Sequence, residues 1–225
     1  MPEALGSLGL SRAEIETHIG WDIGAAAVAR RLSELLGAAL VLSGYSRLVI
    51  DCNRPTDVPG SMPAVSGGVT IPGNQDLDTA AREARIRTFF QPYHAAISAL
   101  LDERTAHPGG PVLLSIHSFT PELLGRRRPW NVGMLYGEDT RLAHPFRDML
   151  RRDSTLNVGD NEPYRVSAGT DYTIPVHGEA RGILHTAIEI RQDGVADERG
   201  TRAWADRIAS IAREILAQGG ILPVS

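Results

Sequence analysis

The sequence predicts an α/β fold, a three-layer α/β/α sandwich around a mostly parallel or mixed sheet. Two observations carry this: short runs rich in branched apolar residues recur along the chain, and amphipathic stretches of helical period separate them. A third is that VLLSI and TAIEIR are apolar at nearly every inward position, as strands covered on both faces must be. The 225 residues suffice for one well-cored domain, so a single unit spanning 1–225 is expected.

Ser11 followed by Glu14 has capping-box spacing, which predicts a short helix from there to about Ile19. Asp22 is expected to cap a second helix, IGAAAVARRLSELLG, whose Val28, Leu32, Leu35 and Leu36 share one face and which Gly37 stops. ALVLS (39–43) and RLVID (47–51) read as buried strands. From Pro55 to Asn74 the composition turns to Pro, Gly and Ser, the mark of a long surface or active-site loop. Residues 79–106 read as helix, ended or kinked at Pro92. PVLLSI (111–116), NVGMLY (131–136) and TAIEIR (186–191) are further strands, and 197–217 is a long amphipathic helix stopping at Gly219-Gly220.

Composition excludes several chemistries. All 23 residues counted as Lys plus Arg are Arg, so Schiff-base, P-loop and kinase lysine mechanisms are ruled out. The single Cys52 cannot form an internal disulfide or a paired-cysteine zinc site, which makes the cytoplasm the expected compartment. No apolar run approaches a membrane span, and the opening MPEALGSLGL lacks a signal peptide's charged start and apolar core. A net charge of -4 argues against nucleic-acid binding, and Arg126, Arg127 and Arg128 read as a solvated basic loop. His177-Gly178-Glu179 echoes the H-x-E of zinc deaminases, whose paired cysteines are missing.

Polar clusters gather at strand ends: Asp51-Cys52-Asn53-Arg54 after RLVI, His117-Ser118-Phe119-Thr120 after VLLSI, and Glu189 with Arg191 on one face of TAIEIR. Ligands of open α/β sheets bind at the carboxyl ends of strands, so one crevice could collect all three. Read alone, Glu189 is equally compatible with a paired structural carboxylate, and His117 is more often a satisfied core or loop histidine than a ligand.

In this order, SRLVIDCNR, IPGN, PYH, IHSFTP, RPWNVGMLY, DNEPY and IEIRQD resemble the N-formylglutamate amidohydrolase family over nearly the whole chain. Three of these are also similar to motifs of the wider zinc carboxypeptidase and aspartoacylase group. The resemblance implies a zinc carboxypeptidase-like fold and a zinc-dependent cleavage of the N-formyl or N-acyl amide of an acidic amino acid. On it, His117 would bind zinc, Glu189 would activate water, and Asn53 and Arg54 would hold the substrate carboxylate. Arg47 and Arg191 would help, and Tyr164 and His177 would line the pocket. These residue types suit those roles. Zinc lowers the pKa of bound water, a carboxylate takes its proton, and a guanidinium fork matches a carboxylate.

The family's first two metal ligands come from an acidic-His-x-x-Asn segment that precedes the SLGL-like helix, and no such segment occurs in this sequence. The expectation is therefore weak zinc binding, little hydrolysis, and an exposed apolar groove with unpaired backbone beside RLVID or VLLSI. Should the site be complete after all, His18 and Asp22 are the first candidates to complete it. The alternatives are a non-catalytic carboxylate-binding relative and a related zinc peptidase. The expected partner is a small acyl-amino acid, with neither nucleic acid nor membrane.

Overall fold

The structure is a computed structural model and describes residues 1–218. Ser11 forms the predicted capping box. The Glu14 N–H donates to its hydroxyl at 3.3 Å, and its own N–H donates to the Glu14 carboxylate at 2.8 Å. The helix it starts, α1 (Arg12–Ile15), is shorter than expected. The second helix, α2 (Ala25–Leu36), is capped by Gly24 rather than by Asp22. Gly24 has φ +81, and a Cβ there would lie 2.5 Å from the Val195 carbonyl oxygen, so only glycine fits. Asp22 is thereby free for another task. Gly37, also left-handed, closes α2 as predicted.

The loop 55–74 contains one small hairpin, β1 (Val65–Ser66) with β2 (Val69–Thr70). Helix α3 (Thr79–Arg85) runs through a π turn at Ile86–Phe90 into α4 (Gln91–Thr105). Pro92 follows closely on the π turn, where the otherwise continuous helix departs from α geometry, so the disturbance expected at Pro92 takes the form of a π turn rather than an end. Strand β3 (Val112–Phe119) follows, then a hairpin of β4 (Glu122–Leu123) and β5 (Arg126–Arg127), and β6 (Val132–Leu135). Helix α5 (Ala143–Leu150), β7 (Val158–Asp160), β8 (Leu184–Arg191) and α6 (Glu198–Gln218) complete the order. The expected stop of α6 at Gly219-Gly220 lies outside the described residues.

The main sheet has the order β3-β8-β6-β7 and is mixed: β3 with β8 and β6 with β7 are parallel, while β6 with β8 is antiparallel. Its strands alternate between two cores. Ile188, Ile190 and Met134 face α2, α5 and α6, packing on Val28, Phe146 and Ile208. Leu113 faces the other way, toward Ile97 and Leu101 of α4. Helices thus cover both faces, as the apolar character of the strands requires.

ALVLS and RLVID are not strands. Leu48, Val49 and Ile50 are buried in a separate cluster with Ile19, Ile71 and Phe90, and side chains replace a ladder in satisfying their backbone. Asn74 donates to the Leu48 carbonyl at 2.8 Å and Arg85 to the Val49 carbonyl at 3.0 Å. Residues 38–43 instead form one wall of a slot of about 710 Å³. The opposite wall is β3, which pairs with β8 alone and turns its second edge toward the slot. Ala29 and Leu32 of α2 and Ile97 and Leu101 of α4 complete the lining, and Asp22, Arg47, Asn53 and His117 are also part of it.

Candidate active site

His117 and Glu189 are register partners on the adjacent parallel strands β3 and β8. Paired positions of neighbouring strands point to the same face, so the two side chains stand side by side near the carboxyl ends of both strands. Asp22, released from capping, reaches His117 from the start of α2: its Oδ2 lies 2.8 Å from His117 Nδ1. Its other oxygen accepts from the Arg47 guanidinium. Ser118 Oγ donates to the Ile23 carbonyl at 2.7 Å and ties this turn to the strand end. His117 Nε2 meets Ser115 Oγ at 3.0 Å.

The electrostatics follow from burial and from who faces whom. Burial alone would lower the His117 pKa, but the hydrogen bond and charge of Asp22 reverse this and lift it to about 9. Burial pushes Glu189 up to about 7, with the Asp22 charge adding to the rise and His117, Arg47 and Arg128 opposing it. Glu189 Oε2 is buried without a hydrogen-bond partner. Burial works against the Arg47 charge, yet Asp22, Asp51 and Glu189 outweigh it and keep the guanidinium cationic. Asp22 is held below the usual carboxylate range: Arg47 and His117 overcome the effect of its burial.

The remaining expected residues are spread more widely. Asn53 clasps the loop, accepting from the Thr173 N–H at 3.0 Å, and it lines the slot. Arg54 donates to the Thr170 carbonyl at 2.7 Å and lies 3.7 Å from Asp51. Arg191 pairs with Asp193 at 2.8 Å and donates to the carbonyls of Arg128 and Pro129. Tyr164 accepts from Arg128 at 2.8 Å. His177 is buried behind the Cys52-Asn53 loop. There, His94 Nε2–H donates to the Cys52 carbonyl at 2.8 Å, and the bare His94 Nδ1 accepts from His177 Nε2–H at 2.9 Å. Burial lowers both histidines, His94 to about 4, which keeps this chain neutral.

Sequence reasoning gave a fixed role to neither His94 nor Arg128. His94 sits in the PYH motif, and only the fold shows what it holds. Arg128 was grouped with a solvated run, a reading that is right for exposed Arg126 and Arg127 and wrong for Arg128, which is buried. Two residues with positive φ, Leu124 and Gly125, turn the β4–β5 hairpin so that the chain re-enters the protein at Arg128.

Among the described residues, no group of three or more His, Cys, Asp or Glu side chains is arranged to hold a metal ion. His117 is engaged at both ring nitrogens and Asp22 is shared with Arg47, so the donors in place do not make the zinc site that the resemblance implies.

A mixed α/β sheet with a buried carboxylate beside a histidine at its strand ends places the protein in the α/β class and makes this pair the candidate catalytic centre. The chain belongs to the N-formylglutamate amidohydrolase family, whose model matches residues 1–196. The chain also matches the crystal structure of the gene product Atu2144 from Agrobacterium tumefaciens. Their identity is 40% and the TM-score 0.91, covering 97% of this chain and 86% of that one. The crystal structure of N-formylglutamate amidohydrolase from Ralstonia eutropha JMP134 shares the fold at 16% identity and a TM-score of 0.64, covering 96% of this chain and 88% of that one. No curated protein sequence matches the chain. Family membership supports an amidohydrolase activity on a small-molecule substrate. No described helix is long and apolar enough to cross a membrane.

Proposed function

We propose that this protein hydrolyses the N-formyl or N-acyl amide of an acidic amino acid such as N-formylglutamate. The observation that carries this reading is the side-by-side placement of Glu189 and His117 at paired positions of β8 and β3. Glu189 is the general base and acid: with its pKa near 7 it can take a proton from the attacking water and return it to the leaving amine. Arg47, Asn53 and Arg54 receive the substrate carboxylate, and a cationic His117 adds positive charge beside the reacting carbonyl. Buried, unpaired Cys52 favours a cytoplasmic setting.

Zinc dependence, with a neutral His117 as ligand in place of the imidazolium, is the competing form of this reading, and one assay separates the two. The purified protein, with and without added zinc, is given N-formyl-L-glutamate and assayed for free formate and for bound metal. Formate release that rises with pH through about 7 is expected. The incomplete donor set favours one other reading, a carboxylate-binding protein without hydrolysis, which tight binding of N-formyl-L-glutamate with no formate release at any zinc level would establish instead.

A further inference from the structure

The buried arginines of this protein fall into two kinds. Arg85, 5% exposed, is fully employed: it donates to the Val49 and Gly73 carbonyls and to Asn74 Oδ1, so its task is to hold the chain. Arg128, 8% exposed, has one side-chain acceptor, the Tyr164 hydroxyl at 2.8 Å, for a guanidinium with five donors. Its other N–H groups are not among the sealed-off unsatisfied atoms and so keep some contact with solvent. No carboxylate among the described residues forms an ion pair with it, whereas Arg47 and Arg191 each have one. A buried cation without an anion is costly unless a ligand supplies the charge.

The position is built rather than loose. The guanidinium carbon lies 4.8 Å from the Tyr164 ring centroid and 5.7 Å from that of Phe119, so the fork packs on two rings. The main chain is pinned as well, with the Arg128 N–H donating to the Pro121 carbonyl at 2.8 Å and its own carbonyl accepting from Arg191. Phe119 is two residues beyond His117 on β3, on the same face of the sheet, so it stands one pleat, about 7 Å, past the His117–Glu189 pair, and the Arg128 guanidinium lies over its ring. That is the reach of a short acyclic side chain whose amide lies over the pair. The Arg128 charge opposes the rise of the Glu189 pKa and lowers that of His18.

We propose that Arg128, steadied by Phe119 and Tyr164, is the specificity residue that binds a second carboxylate, restricting the substrate to N-acyl derivatives of dicarboxylic amino acids. This rests on the amidohydrolase reading above, but the carboxylate site can be tested without turnover. Calorimetry with the whole chain compares glutarate, which has two carboxylates, with butyrate, which has one. Wild type should prefer glutarate by roughly 10–100-fold, the scale of charge-assisted hydrogen bonds. Arg128→Met should abolish the preference, and Arg128→Lys, which keeps the stem over the rings and the charge but not the fork, should retain only part of it. Tyr164→Phe should weaken glutarate binding without removing the preference. In parallel, the ratio of kcat/KM for N-formyl-L-glutamate to that for N-formyl-L-norvaline should fall roughly 10–100-fold in Arg128→Met and less in Arg128→Lys. Melting curves identify any variant that fails to fold, and Arg128→Lys then decides. Equal glutarate preference in wild type and Arg128→Lys, or no preference in wild type, overturns the proposal. Loss of the glutarate preference in the variants, with no formate released by any of the proteins, would uphold the Arg128 site and remove the amidohydrolase reading. Formate release from both substrates, unchanged by Arg128→Lys, would do the reverse.

Discussion

Glu189→Gln should reduce amide hydrolysis by roughly 10²–10⁴-fold, the contribution of a general acid–base group, while leaving substrate affinity nearly unchanged. Glutamine has the shape of the protonated acid, so the fold should accept it, and it cannot accept a proton. The same variant should alter the pH dependence of stability. Glu189 has a folded-state pKa of about 7, above the 4.5 of an unperturbed glutamate. Between these values the native state holds more protons than the unfolded chain, so stability falls as pH rises through that window and the loss is complete above about 7. Urea unfolding from pH 5 to pH 8 should therefore give a declining stability for wild type and a flatter one for Glu189→Gln. An unchanged slope together with unchanged kcat would show that Glu189 is neither the base nor the titrating group.

Asp22→Asn should cost about 1–3 kcal/mol, below the range for a fully buried pair because the Arg47 side chain is 36% exposed and screened by solvent, or roughly 2–12 °C in melting temperature for a chain of this size. One carboxylate here serves two half-buried cations, Arg47 on one oxygen and His117 on the other. An amide leaves both without their counter-charge. His117 should report this directly. Its pKa of about 9, which Asp22 raises against burial, should fall below the free imidazole value and be visible in the histidine ring resonances. The linkage sign is opposite to that of a depressed acid. Stability from the raised His117 pKa is full below about 6.5 and is lost as pH rises through about 9, so Asp22→Asn should erase the alkaline part of the pH profile. A loss below 1 kcal/mol with an unmoved His117 titration would rule this network out.

Much of the frame was legible because it depends on local pattern. The capping box at Ser11, the stop at Gly37, the apolar runs of β3, β6 and β8 and the stripe of α6 each state their structure within a few residues. ALVLS and RLVID state it equally well and are not strands, because a strand exists only through its neighbour, and these segments have none to pair with. The site was legible in part for the same reason. His117 and Glu189 could be singled out by residue type and position, but their pairing depends on a parallel register joining residues 72 positions apart. Asp22 looked like a helix cap because aspartate commonly is one, and only the contact of Gly24 with Val195 shows that the cap lies elsewhere. Arg128 could not be separated from its two exposed neighbours without the hairpin turn that buries it.

The open side of β3 gives the two longest strands different clocks. In a parallel strand successive peptide groups point alternately to one edge and the other. Strand β8 has neighbours on both sides at residues 187–190, so every amide there has a carbonyl to hold its hydrogen. Strand β3 has β8 on one side and the slot on the other, so only alternate amides are held. Deuterium should enter residues 112–119 with a period of two, fast and slow by turns, while 187–190 exchange uniformly slowly. Two strands of equal length and similar composition, joined along their whole register, would then differ in which of their protons the solvent can reach.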